Sequence, residues 1–199
     1  MNVKALLPEQ KVGKQSDIEE SRTFPTNEEA QQCFDLAKAR LLDVSNWHVI
    51  SKIEASAFCL VDATNSKVQR GPQIGDFIRI DVPGPGTKAG KGFDWVKIEH
   101  MENHQENADH IFTMRARPDT APATNAHETT HFFKSEATSN FIVRKHGLTV
   151  SAEVHGRNEL PNTEADHLID KARNLAVATG SFLGFSVVQW NLLVKGILS

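Results

Sequence analysis

Asn162–Leu198, NTEADHLIDKARNLAVATGSFLGFSVVQWNLLVKGIL, is the stretch on which the fold turns. Asn162 and Thr163 are capping residues, Asp166 stands three positions after Thr163, and Glu164 and Asp166 put negative charge where the free N–H groups of a helix start favour it. Pro161 disfavours helix just before it. Leu168, Ile169, Ala172, Leu175, Ala176, Leu183, Val187, Trp190, Val194 and Ile197 then recur at helical spacing, with Asp170, Lys171, Arg173 and Asn174 on the other side of the first turns. The pattern predicts one long terminal helix that must be covered on most of its circumference in its second half.

Leu175 to Val194 carries no charge. Its length of about 20 residues matches a membrane span, and Gly180 and Gly184 form a small-residue pair of the kind that packs helices in bilayers. Gln189, Asn191, Thr179, Ser181 and Ser186 weigh against lipid, as do the amphipathic first turns. The expectation is a helix docked on a sheet, with no membrane span.

The 199 residues, 39% hydrophobic and 24% charged, suit one globular domain with a substantial core. A formal net charge of -3 gives no electrostatic reason for a nucleic-acid partner. The start of the chain is too polar for a signal peptide. Cys33 and Cys59 lack CxxC spacing, so a reducing, cytoplasmic compartment is expected.

Residues 1–18 are polar and turn-prone and read as a loosely held arm, followed by one domain over 19–199. Glu19 to Phe24 suits a short first strand. Thr26, with Glu29 three residues on, opens an amphipathic helix whose stripe is Ala30, Cys33, Phe34, Ala37, Leu41 and Leu42. From Ser51 the period changes to two: Ile53, Ala55, Ala57, Cys59 and Val61 alternate with Glu54, Ser56, Phe58, Leu60 and Asp62, and Asp76–Val82, Phe93–His100, Ile111–Arg117, His131–Lys145 and Leu148–Arg157 read as further strands. Short turn-rich links favour an antiparallel meander. The order predicts an α+β fold, a curved antiparallel sheet of about six to seven strands packed on the long C-terminal helix.

This order resembles the helix-grip superfamily of START lipid-transfer domains, polyketide cyclases and pathogenesis-related proteins. The likeness is carried by Arg22-Thr-Phe-Pro-Thr-Asn-Glu-Glu-Ala, by the hairpin Thr138-Ser-Asn-Phe-Ile-Val-Arg-Lys-His-Gly-Leu-Thr-Val and by the helix after Pro161. Where that superfamily has two short helices after its first strand, the second is here reduced to a turn around Asn46-Trp47-His48. The resemblance implies a hydrophobic cavity between sheet and helix and a lipid- or polyketide-like ligand, held by a carrier or a cyclase-like enzyme.

Small residues on inward faces point the same way: Ser135, Ala137 and Ser139 between Phe133 and Phe141, Ala55 and Ala57 on another strand, and Ala152 between Val150 and Val154. A ligand there would meet Phe133, Ser135, Ser139, Phe141, Trp95, Phe182 and Trp190, with Arg115 as anchor for an acidic head group if its face is the inner one. The same small residues also suit close approach of the helix, in which case the terminal helix serves a partner or a homodimer instead.

His127-Glu128-Thr129-Thr130-His131 matches the HExxH pattern of zinc hydrolases, which needs a helix. Its flanks read as extended chain, which would hold the histidines about 13 Å apart at ~3.3 Å per residue. Zinc, and any other cofactor, is therefore not expected, and a zinc-dependent hydrolase built on His127, Glu128 and His131, with Glu159 or Glu164 as third ligand, ranks behind the binding and interaction readings. His100, His104 and His110 read as a solvated hairpin loop, and the glycines of Pro83–Gly92 miss the phosphate-loop spacing and precede a strand. No nucleophile elbow occurs. Asp94, Glu136, Glu153, His155, Arg157 and Glu159 remain as acid–base candidates near sheet ends.

Overall fold

In the computed structural model, the described residues are 3–52, 56–81, 90–106, 108–124, 129–162 and 182–199, with side chains of the terminal helix from Val187 onward. Seven strands form one antiparallel sheet: β1 (Lys14–Thr23), β2 (Ala57–Val61), β3 (Phe77–Asp81), β4 (Asp94–Glu106), β5 (Asp109–Pro118), β6 (Thr138–His146) and β7 (Thr149–Glu159), in the order β1-β7-β6-β5-β4-β3-β2. Helix α1 (Asn27–Leu42) and the short α2 (Trp47–Ser51), separated by a 3-10 turn, lie between β1 and β2. Helix α3 (Phe182–Ile197) ends the chain. This is the expected helix-grip-like α+β arrangement. The predicted course of the terminal helix over 163–181 lies outside the described residues.

Local chemistry explains these elements. The Thr26 hydroxyl accepts the Glu29 N–H at 3.2 Å, and Ala30, Phe34, Ala37 and Leu41 bury one stripe of α1. The second helix is fuller than the sequence suggested: α2 completes a turn to Ser51, whose hydroxyl donates to the Trp47 carbonyl at 2.6 Å. That turn delays β2 to Ala57 and inverts its expected orientation. Phe58 and Leu60 face the helices, whereas Ala57 is exposed and Cys59 and Val61 face outward. Ala55 lies outside the described residues.

The inner face of the sheet buries Phe112, Met114, Phe141, Val143, Val150, Ala152 and Val154 against α1, α2 and α3. Leu193, Val194, Ile197 and Leu198 dock α3. Its last carbonyls are held by arginines from two elements: Arg22 of β1 donates to Leu198 O at 2.7 Å and Arg40 of α1 to Ile197 O at 3.0 Å. Gly196 lets α3 approach α2, for a Cβ there would stand 2.0 Å from the Ile50 carbonyl oxygen. The chain's end is thus the second layer of its own fold, and among the described residues no helix is long and apolar enough to cross a membrane.

Two boundaries differ from expectation. β1 begins at Lys14, ahead of Glu19, because the chain before it is tied to the far end of the sheet: Asn158 accepts from the Lys11 and Val12 amides and donates to Glu9 O. β4 and β5 run on to Glu106 and Asp109, so the histidine-rich stretch read as a loop is a paired hairpin held by backbone bonds.

Candidate functional site

The space between the inner face and α3 is closed by an aromatic cluster. Trp47 meets Phe141 at 4.9 Å, Phe58 at 5.4 Å and Trp190 at 6.3 Å between ring centroids, and its Nε1–H donates to Leu41 O. Beyond these rings lies a cavity of about 40 Å³ lined by Ile78, Ile80, Val96, Ala116, Ser139, Phe141, Trp190, His131, Phe132, Phe133, Glu159, Gln189 and Trp47. This volume holds a water or the end group of a larger molecule; pockets that enclose a whole drug-sized ligand are roughly 300–1,000 Å³.

Four polar side chains stand in this otherwise apolar wall: Ser139, and the more deeply buried Glu159, His131 and Gln189. Glu159 should face outward with Glu153, His155 and Arg157, since side chains alternate along a strand. A bulge turns it in. Asn158 takes a left-handed φ of 56°, and the pairing with β1 slips between Lys14↔Glu159 and Ser16↔Gly156. The carboxyl settles over Gly156, where a Cβ would lie 2.2 Å from Oε1, and accepts the Ser16 hydroxyl at 3.3 Å. Burial pushes its pKa up, only partly offset by the Ser16 bond.

His131 sits in an irregular segment laid beside the chain after β7: Lys134 N–H donates to Leu160 O, and Asn162 Nδ2 donates to the carbonyls of Thr129 and His131. Its Nδ1 accepts the Phe133 amide at 3.0 Å, which puts the proton of the neutral ring on Nε2, and burial pushes its pKa down to about 3. Gln189 of α3 is buried, with its Oε1 at 3.5 Å from the donating Ser56 hydroxyl. Asp94, opposite Ile80 on the inner face, is pushed up to about 7 by burial alone.

Of the residues predicted to meet a ligand, Phe133, Ser139, Phe141 and Trp190 come together at this cavity. Ser135 does not: β6 starts only at Thr138, and Ser135 is exposed in the preceding turn, where its carbonyl accepts from Arg117. Trp95 points to the opposite side, packed with Val61, Phe77 and Ala121. Arg115 also lies on that outer side, donating to Asn140 Oδ1 at 2.7 Å and to Leu6 O at 2.8 Å. Both faces of β4 are apolar near Trp95, so alternation could not tell inside from outside. The Phe182 side chain, His127 and Glu128 lie outside the described residues. Glu159 was an acid–base candidate on position alone, while Gln189 was counted only as a polar interruption of the helix.

The outer side of the sheet carries its own polar cluster. His155 Nδ1 is 2.6 Å from Asp17 and Nε2 is 2.9 Å from Glu153, while Arg157 reaches Asp17 at 2.7 Å and Ser151 donates to Glu153 at 2.6 Å. Burial by itself would lower His155, but the two carboxylates outweigh it and raise its pKa. Burial would likewise raise Asp17 and Glu153, but their hydrogen bonds bring both down. Every member is engaged by another, which suits a clamp between β1 and β7 better than a reactive centre.

A larger, open cleft of about 770 Å³ follows β2 and the α1–α2 junction. Two of its three lining cations are engaged within the fold: Arg70 holds Asp76 through two bonds, and Arg79 lies 4.4 Å from the Phe93 ring centroid, leaving Lys67. The enclosed cavity, with buried polar groups converging on it, is the better candidate.

No family model and no curated protein matches the chain. Among solved structures, it is similar to a hypothetical protein from Helicobacter pylori, at 13% identity over 92% of this chain and 88% of that one, TM-score 0.49. A protein from Thermus thermophilus is 15% identical over 92% and 94% of the two chains, TM-score 0.44. A major latex-like protein from Panax ginseng is 10% identical over 84% and 95%, TM-score 0.40. These are likenesses of chain path alone, and the site rests on its own geometry.

Proposed function

We propose that this protein binds an apolar small molecule between the sheet and α3, with the ligand's end group in the cavity beside Glu159, His131 and Gln189. The observation that carries this is their burial. Sinking three polar side chains into an apolar wall costs stability, and packing alone would be served better by leucine or methionine. Convergent polar groups with displaced pKa values in an otherwise apolar pocket are the usual mark of a binding site. A ligand larger than an end group requires α3 to lift, so Trp190 must move on binding.

Native mass spectrometry of freshly purified protein, followed by titration with apolar probes under tryptophan fluorescence, tests this. Co-purifying apolar mass, or saturable quenching, is expected. A ligand-free obligate dimer that quenches with no probe would sink it and favour the second reading, an interaction module. That reading draws on Val187, Val188 and Leu192 of α3, which remain 38%, 58% and 39% exposed.

A further inference from the structure

The binding reading leaves the ligand's chemistry open, and the cavity's own polar groups narrow it. We infer that Glu159, in its acid form, donates the hydrogen bond that receives the polar end of a neutral apolar ligand, a ketone, ester or alcohol, and that the site rejects carboxylates. The inference rests on the binding reading above and goes beyond it by naming the ligand class.

The described wall holds no cation. His131 is its only basic side chain and stays neutral above about pH 3. A ligand carboxylate would therefore lie beside Glu159 with nothing to balance it, and two buried carboxyl groups cannot both ionise cheaply. A carbonyl oxygen, by contrast, finds a donor in the Glu159 acid. It also strengthens that form, because a hydrogen bond made by the neutral acid disfavours its ionisation. The fold makes room for this acid in particular: the Asn158 bulge turns it inward and Gly156 vacates the space its carboxyl occupies.

The groups acting on Glu159 are known. Ser16, Arg157 and Lys14 draw its pKa down, and Asp17 pushes it up, but burial exceeds them. Asp94, pushed up to about 7, is a second buried acid on the inner face, so it needs its own control.

The test measures tryptophan fluorescence with methyl undecyl ketone, lauric acid and dodecane at pH 5 and pH 8, Trp47 and Trp190 both lining the cavity. In the wild type the ketone should bind about tenfold or more tighter than dodecane, the equivalent of one good hydrogen bond. Laurate at pH 8 should bind more weakly than either. Ketone affinity should fall from pH 5 to pH 8, and should still do so in Asp94→Asn. Glu159→Gln, which keeps a donor, should bind ketone without that pH dependence, and Glu159→Leu should lose the ketone's advantage over dodecane. Laurate binding as tightly as ketone, or ketone no better than dodecane, overturns the ligand class while the binding reading stands. Failure of all three to bind overturns both. The wild-type ranking decides the matter even if a variant fails to fold.

Discussion

Strand β7 presents ionisable side chains to both sides of one sheet, and the two sides treat them oppositely. Outside, His155 is held between Asp17 and Glu153, with Arg157 on Asp17, and for His155, Asp17 and Glu153 the bonded neighbours outweigh burial and favour the charged form. Inside, Glu159, His131 and Asp94 find no such counter-charge strong enough among the described residues, and burial drives each toward its neutral form. Neighbours along a single strand thus reach opposite outcomes, and what decides is whether counter-charge comes with the burial. The outer set is a fastener; of the inner set, Glu159 and His131 face the cavity.

The contrast can be broken at several points. The largest effect is expected at Phe141, whose ring packs on Trp47 and Trp190: Phe141→Ala should cost about 3–5 kcal/mol in urea unfolding. A loss under 1 kcal/mol would mean that the aromatic layer does not hold α3.

Asp94→Asn should stabilise the protein, and only where the acid would ionise. Its folded pKa of about 7 lies above the ordinary aspartate value of 3.8, so the wild type loses stability as pH rises from about 4 through 7. The gain should be absent near pH 3.5 and reach about 2–4 kcal/mol at pH 8, the upper end being the full shift at about 1.4 kcal/mol per pH unit. An equal gain at both pH values would disprove the buried-acid account.

On the outside the sign reverses. A raised His155 stabilises most below its unfolded pKa of about 6.5 and loses that contribution as pH rises through its folded value. Asp17 and Glu153, both lowered, keep theirs above about pH 4.5 and lose it in acid. His155→Gln should therefore cost about 2–3 kcal/mol at pH 6, by stranding the buried Glu153, and clearly less at pH 9. A cost independent of pH would point to packing instead of charge.

The smallest effect is expected at Thr113, whose buried hydroxyl on the outer face has no hydrogen-bond partner. Thr113→Val should be neutral or stabilising by up to about 1 kcal/mol in thermal unfolding. A clear loss would show that the hydroxyl is satisfied in solution.

The fold was readable because its signals are periodic: the Thr26 cap, the α1 stripe, the change to period two and the apolar terminal segment each report local backbone geometry. The site was only half readable. Ser139, Phe141 and Trp190 followed from correct strand and helix placement, whereas Phe133 reaches the cavity from the irregular segment before β6 that two-fold alternation reads as strand. Ser135 was misplaced because two-fold alternation was carried back through residues that are not strand. Trp95 and Arg115 were misplaced because a sheet with apolar residues on both faces does not announce its inside. Glu159 required knowing that β7 bulges. The sequence hint is Asn158, a residue type that tolerates left-handed backbone, but the bulge is also fixed by pairing with β1, which no local pattern records.

That bulge links two sides of the molecule that never touch. Asn158 is gripped from outside by residues Glu9 to Val12, while the next residue supplies the acid inside. A chain shortened to begin at Gly13 would keep every cavity residue and still lose what holds that backbone kink, freeing Glu159 to swing to the solvent side. The proposed ligand preference would then depend on residues Glu9 to Val12, which hold Asn158 without lining the cavity.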